Sequence, residues 1–175
     1  MTLISSLSEQ SSMVDVMTIF NEPMRHLNSF AESIMRGSSS LTEAERELIA
    51  AYVSGLNGCS YCLGVHSSTA IEFGINIDVF EALMVNISSA PIDYRLKPLL
   101  HYVRKLTLSP SKMVQADAEN VHAVGWDEKT LFNAIAICGY FNLMNRIVEG
   151  CGLVGNFGIH KTNGNRLATK GYIPT

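Results

Sequence analysis

Apolar residues recur at helical spacing through most of the chain, and Gly and Pro interrupt them at intervals. Val16, Phe20, Met24, Leu27, Phe30 and Ile34 predict helix from about Asp15 to Met35, with a break before Pro23. Gly37 and the three serines after it mark a loop. Thr42 and Glu45 then have capping-box spacing, so a helix begins there and runs to Asn57 and Gly58, a pair suited to a helix end and a tight turn. The next helix starts at Cys59 or Ser60 and ends near Gly74. Asp78 reads as the cap of a short helix through Met84. Pro91 and Asp93 introduce another reaching about Leu106, with Pro98 placed to kink it. Ser109 before Pro110 starts a helix ending near Gly125, and Asp127 caps a long one reaching about Gly150. The tail from Gly152 to Thr175 contains five glycines and little periodicity, and is expected to lie extended over a surface. No strand pattern emerges. The two long uncharged segments, Leu48 to Ile71 and Leu131 to Asn145, form a faint internal repeat. The expectation is one all-α domain over residues 1–175, with its core motif at about 41–74.

Composition narrows the function classes. In 175 residues, 47% are hydrophobic and 17% charged, which excludes a disordered chain and leaves apolar surface for partner subunits to cover. A homo-oligomer is therefore expected. The net charge is −3 and no dense Lys/Arg cluster is present, so nucleic acid is not an expected partner. Leu48 to Ile71 lacks Asp, Glu, Lys and Arg over a bilayer-spanning length. It also contains Asn57, Ser60, His66, Ser67, Ser68 and Thr69, too many polar groups for hydrocarbon, so no membrane association is expected. MTLISSLSEQ has neither a basic region nor a continuous apolar segment, which suggests a cytoplasmic protein. Four cysteines are too few for a secreted disulfide scaffold.

Three of the chain's reactive groups share one helix face. Cys59, Cys62 and His66 stand at i, i+3 and i+7. Two cysteines three apart can close a disulfide if the first sits at a non-helical cap, and Gly58 permits that distortion. His66, one turn beyond Cys62, can act as the base that generates thiolate. The helix dipole favours Cys59 as thiolate and the imidazole favours Cys62. A specific acceptor outweighs a diffuse field, so Cys62 is read as the nucleophile and Cys59 as the resolving thiol. If the chain reverses at Asn57 and Gly58, Glu47 lies level with His66 to Ser68, placing a carboxylate near the imidazole. The relay expected is Glu47 orienting His66, His66 accepting the Cys62 proton, and Cys59 closing the disulfide. Two thiolates and an imidazole also suit zinc, but no cluster supplies a fourth ligand, and no metal or other cofactor is expected. Tyr61, Cys138 and Cys151 are read as packing residues, and Arg146 and Glu149 as a structural ion pair.

The segment LTEAERELIAAYVSGLNGCSYCLGVH, Leu41 to His66, resembles the alkylhydroperoxidase D-like (AhpD-like) proteins of the carboxymuconolactone decarboxylase superfamily, in the peroxidase-related branch. The likeness rests on a Glu twelve residues before the first Cys, the NGC turn, the CxxC pair, and a His four beyond the second Cys. It continues more loosely through GYFNLMNR, Gly139 to Arg146. The resemblance implies an all-helical oligomer that reduces hydroperoxides with a thiol pair, Cys62 attacking and Cys59 resolving, assisted by Glu47 and His66. It also implies a dithiol electron donor, a lipoyl-bearing protein in the founding members. Those members carry a further His immediately before the second Cys, where this chain has Tyr61, and place the motif in the C-terminal half. Two other function classes stay open: a decarboxylase-like lyase acting on a small carbonyl substrate, and a non-enzymatic thiol sensor or zinc-binding oligomer.

Overall fold

In the computed structural model, which describes residues 2–173, nine α-helices and two 3-10 turns follow one another, with no strand among the described residues. The helices are α1 (Met13–Ile19), α2 (Asn21–Met35), α3 (Glu43–Leu56), α4 (Ser60–Glu72), α5 (Asp78–Val85), α6 (Leu96–Leu108), α7 (Gln115–Ala123), α8 (Glu128–Cys151) and α9 (Phe157–Lys170).

The boundaries follow local chemistry. Thr42 Oγ1 accepts from the Glu45 N–H at 3.2 Å while the Thr42 N–H donates to the Glu45 carboxylate at 2.7 Å, completing the capping box of α3. Asp127 accepts from the Thr130 N–H at 2.8 Å and starts α8, and Gly152 at φ +68° ends it. Phe20 interrupts the N-terminal helix, so the break falls three residues before Pro23, which then occupies the first turn of α2. Pro98 also lies in a first turn, that of α6. Its missing N–H has no intrahelical acceptor there, and the expected kink gives way to a regular helix start. The segment after Ser109 divides into a 3-10 turn at Pro110–Lys112 and then α7. Asp78 is the first residue of α5 and not its cap, which is Ile77; the Asn76 side chain accepts from the Asp78 N–H at 3.0 Å.

α4 is the helix on which the reactive side chains are carried. It packs along α3 on one side and along α9 on the other, while α3 also packs on α6 and α8. Ala50, Ala51, Val53, Leu99, Leu100 and Ile137 are fully buried between these helices. α8 is long and apolar enough to cross a bilayer by length and composition, and here Leu131, Ala134, Ile137, Phe141 and Val148 enter the core.

The tail differs from the extended segment expected. Residues 152–156 form a short connection, and Asn156 Oδ1 then accepts from the Ile159 N–H at 3.0 Å and starts α9. The glycines that weaken its helical signal allow the two helices to approach. A Cβ at Gly164 would lie 2.5 Å from Ser68 Cβ and 3.0 Å from the Thr69 nitrogen, so α9 can reach α4 only with glycine at that point. Residues 174 and 175 of the tail lie outside the described residues.

Candidate active site

The turn between α3 and α4 places both sulfurs. Gly58 adopts φ +70°, and Cys59 follows as the non-helical N-cap of α4, with φ −82° and ψ 93°. Its N–H donates to the Ser54 carbonyl at 3.0 Å, which ties the start of α4 to the last turn of α3. Cys59 is fully buried, Cys62 is 5% exposed, and both are free thiols.

The two thiols are driven apart in acidity. Hydrogen bonding from the Cys59 thiol is the largest influence on Cys62 and holds it below the ordinary thiol value; the Asn145 side chain acts in the same direction, against the cost of burial. Cys59 is pushed up by its bond to Cys62, by burial and by the nearby Glu149 carboxylate. Cys62 is therefore the sulfur that ionises first. Among the groups that favour its thiolate are Cys59 and Asn145.

Asn145 belongs to a polar row that crosses from the turn to α8. Its Nδ2 donates to Ser54 Oγ at 3.0 Å, and its Oδ1 accepts from Asn57 Nδ2 at 2.8 Å. Asn57 also donates to Asn142 Oδ1 at 3.2 Å, and Arg146 reaches the same oxygen at 3.1 Å. Arg146 thus supports this row instead of pairing with Glu149. Asn142, Asn145 and Arg146 all fall in the GYFNLMNR segment, the one sequence signal that could have singled them out.

Glu47 and His66 meet across the α3–α4 pair. Glu47 Oε2 lies 2.7 Å from His66 Nδ1, and the carboxylate has no exposed surface. Its other oxygen accepts from Arg36 Nη2 at 2.7 Å and from the Tyr172 hydroxyl at 2.9 Å. Burial works to raise Glu47, but the hydrogen bond and charge of His66, together with Arg36, hold it below the ordinary carboxylate value. An ionised Glu47 can only accept, so Nδ1 of His66 carries the hydrogen between them.

Arg36 and Tyr172 carried no sequence signal. Arg36 Nη2 also donates to the Leu167 carbonyl at 3.1 Å, and its guanidinium lies 5.1 Å from the Tyr172 ring and 5.2 Å from that of Phe73. Desolvation disfavours its charge, yet Glu47 outweighs this and holds the guanidinium more firmly protonated than usual. Tyr172 is fixed from behind, its N–H donating to Glu32 at 2.7 Å, and burial raises its hydroxyl well above the ordinary phenol value. Tyr61 packs as expected and also uses its hydroxyl, which accepts from the Met13 N–H at 3.0 Å and anchors α1.

Cys62 and His66 border one cavity of about 60 Å³, whose walls include Met13, Phe141, Met144 and Tyr172. That space accepts a few water-sized atoms in a mostly apolar setting. Among the described residues, no three His, Cys, Asp or Glu side chains converge to hold a metal ion.

Residues 21–90, which include the whole α3–α4 hairpin, match the carboxymuconolactone decarboxylase family. The uncharacterized protein YdfG of Bacillus subtilis (strain 168) is 29% identical over 109 residues, 62% of this chain and 74% of YdfG. A peroxidase-related protein from Silicibacter sp. TM1040 superposes with a TM-score of 0.78 at 26% identity, covering 85% of this chain and 78% of that one. A second, described as an alkylhydroperoxidase AhpD core from Ralstonia eutropha JMP134, shares the fold with the same TM-score and coverage at 23% identity.

Proposed function

We propose that this chain, which belongs to the AhpD/carboxymuconolactone decarboxylase superfamily, is a dithiol peroxidase that cycles between the Cys59 and Cys62 thiols and their disulfide. The observation that supports it most directly is the pair of cysteines at the start of α4, with Cys62 and the Glu47-held His66 on one small cavity. Cys62, on the cavity and held below the ordinary thiol value, suits the nucleophile, and the enclosed Cys59, pushed up, suits the resolving partner.

Atoms and electrons balance through the cycle. The Cys62 thiolate attacks one peroxide oxygen; the O–O bond breaks, an alkoxide leaves, and Cys62 becomes a sulfenic acid. His66, with Nδ1–H held by Glu47, takes the proton of Cys62 through Nε2 and returns it to the alkoxide, giving an alcohol. Cys59 then loses its proton and attacks the Cys62 sulfur, forming the disulfide and releasing water. A dithiol donor, of which a lipoyl-bearing protein is one kind, returns two electrons and two protons. Arg36 and Tyr172 act as positioning residues in this scheme, because they hold Glu47 rather than touch the reacting atoms. The same reading takes the working form to be a homo-oligomer.

Titration with a hydroperoxide tests it. Two thiols are expected to disappear per chain and to return with a dithiol reductant. Cys62→Ser is expected to abolish turnover, and Cys59→Ser to stop at a sulfenic acid that a dimedone probe captures. Full turnover in Cys62→Ser refutes the mechanism and leaves the lyase reading in its place.

A further inference from the structure

The cycle proposed above includes a step that the enclosed sulfurs obstruct. To reduce a Cys59–Cys62 disulfide, a donor sulfur has to come within bonding distance, about 2.05 Å, of one of the two. Cys59 has no exposed surface, and Cys62 faces the inner cavity of about 60 Å³. An apolar cavity that holds benzene measures about 150 Å³. The reactive end of a dithiol that can close into a disulfide, two sulfurs and the carbons joining them, is about as large. Less than half of that space is present, so part of the wall has to move before the donor reaches sulfur.

The wall is held unevenly. Phe141, Met144 and Val148 come from α8, which runs through the core. Tyr172 is tied by its N–H to Glu32 and by its hydroxyl to Glu47, and the Leu167 carbonyl is tied to Arg36. The remaining side of the wall, Met13, Val14 and Met17, comes from α1. α1 has seven residues, fewer than an isolated helix needs to hold itself together, and its backbone runs closely along α2 alone. Buried Val16 seats it. Among the described residues, one hydrogen bond joins it to another helix: the Met13 N–H donates to the Tyr61 hydroxyl at 3.0 Å. Met13 is the first residue of α1, and its N–H is one that a helix leaves without an internal acceptor. Tyr61 stands between the two cysteines, so α1 is fastened to the motif that it covers. We propose that α1 is a lid over Cys62, latched by the Tyr61 hydroxyl, and that its release admits the dithiol donor. This rests on the peroxidase reading and supplies the access that its reducing step needs. The balance is that of a disulfide exchange: the donor gives up two electrons and two protons and becomes a disulfide, and Cys59 and Cys62 return to thiols.

Two variants loosen α1 by separate routes. Tyr61→Phe removes the latch. Asp15→Ala removes a carboxylate whose hydrogen bonds are to Ser12 alone, among them the one it accepts from the Ser12 N–H at 2.7 Å in the capping box of α1. Either loss corresponds to about a fivefold rise in the open population. Hydrogen exchange is expected to quicken about fivefold at residues 13–19 in both variants, with α3 and α4 unchanged. The disulfide, closed with diamide so that no hydroperoxide is involved, is expected to be reduced by dihydrolipoamide about fivefold faster in both. Fluorescein maleimide, too large for the cavity, is expected to label Cys62 of the reduced chain faster by the same factor. Quickened exchange in α1 with unchanged reduction and labelling rates overturns the inference. So does exchange in α1 that neither variant quickens, or protection of α1 in the wild-type chain equal to that of α4. If Tyr61→Phe also disturbs α4, the same readings on Asp15→Ala decide. Absence of Cys62-dependent reduction of any hydroperoxide overturns the peroxidase reading instead, and the labelling rates still decide whether α1 is a lid.

Discussion

Glu47 is a buried carboxylate with all its partners on different elements: His66 on α4, Arg36 after α2, and Tyr172 after α9. Removing its charge leaves Arg36 buried without compensation, an error that costs about 3 kcal/mol in comparable pairs. Glu47→Gln should therefore lower the melting temperature by roughly 6–12 °C in a domain of this size, which calorimetry would record. Because folding depresses the Glu47 pKa, its contribution is complete above the ordinary value of 4.5 and is lost as pH falls through the lower folded value. The glutamine variant should show a flatter acid limb in plots of unfolding free energy against pH. An unchanged limb would mean that Glu47 is not the group titrating. Tyr172→Phe deletes one hydrogen bond and should cost about 1 kcal/mol. Its sharper signature is a shifted pH profile of Cys62 alkylation with unchanged secondary structure. At this scale Glu47, Cys59, Cys62 and His66 were legible because one hairpin sets their relative positions. Arg36, Asn145 and Tyr172 were not, since the residues they meet lie 11, 91 and 125 positions away and only the finished packing brings them together.

Among the elements, α9 is the one that the pattern of residues concealed. Gly155, Gly158 and Gly164 weaken the helical signal, and the helix exists because tertiary packing outweighs propensity. Gly64 and Gly164 are the points of close approach: a Cβ on Gly64 would come 2.2 Å from the His160 ring, and one on Gly164 would meet the backbone of α4. Gly164→Ala should consequently destabilise the chain by about 1–3 kcal/mol, despite alanine's better helix propensity. It should also accelerate amide exchange in α9 and alkylation of Cys62, since Asn163, Arg166 and Leu167 wall the inner cavity. A stabilised variant would show that the two helices are not held by contact at this glycine. Gly58→Ala presents a purely conformational case, because no atom lies within 4 Å of the added Cβ yet φ is +70°. A cost of about 1 kcal/mol is expected from the left-handed backbone alone. The capping box of α3, the Asp127 cap of α8 and the Gly turns after α3 and α4 were readable because their determinants are local, whereas Pro98, a helix start in place of the expected kink, shows that a proline's meaning depends on where the helix begins.

For the molecule as a whole, large apolar side chains remain outside the core, including Phe157 at 81% exposure, Val85 at 80% and Phe132 at 69%. If the working form is the homo-oligomer proposed above, part of this surface is covered by copies of the chain. Sedimentation should give a mass that is an integer multiple of 19.2 kDa above one, and a monomer at micromolar concentration would contradict that. The site itself is assembled from both ends of the chain. α1 supplies Met13 and Met17, α9 supplies Arg166, and Tyr172 closes over Glu47, which lies 125 positions earlier. Protein synthesis proceeds from the N-terminus at about 5–20 residues per second, so roughly 6–25 s separate the addition of Glu47 from that of Tyr172. For most of that interval, once Cys62 has been added, a nascent chain contains both sulfurs but has neither the roof over them nor the last hydroxyl on the carboxylate. Ribosome-bound intermediates consequently expose a thiol pair that the finished molecule encloses.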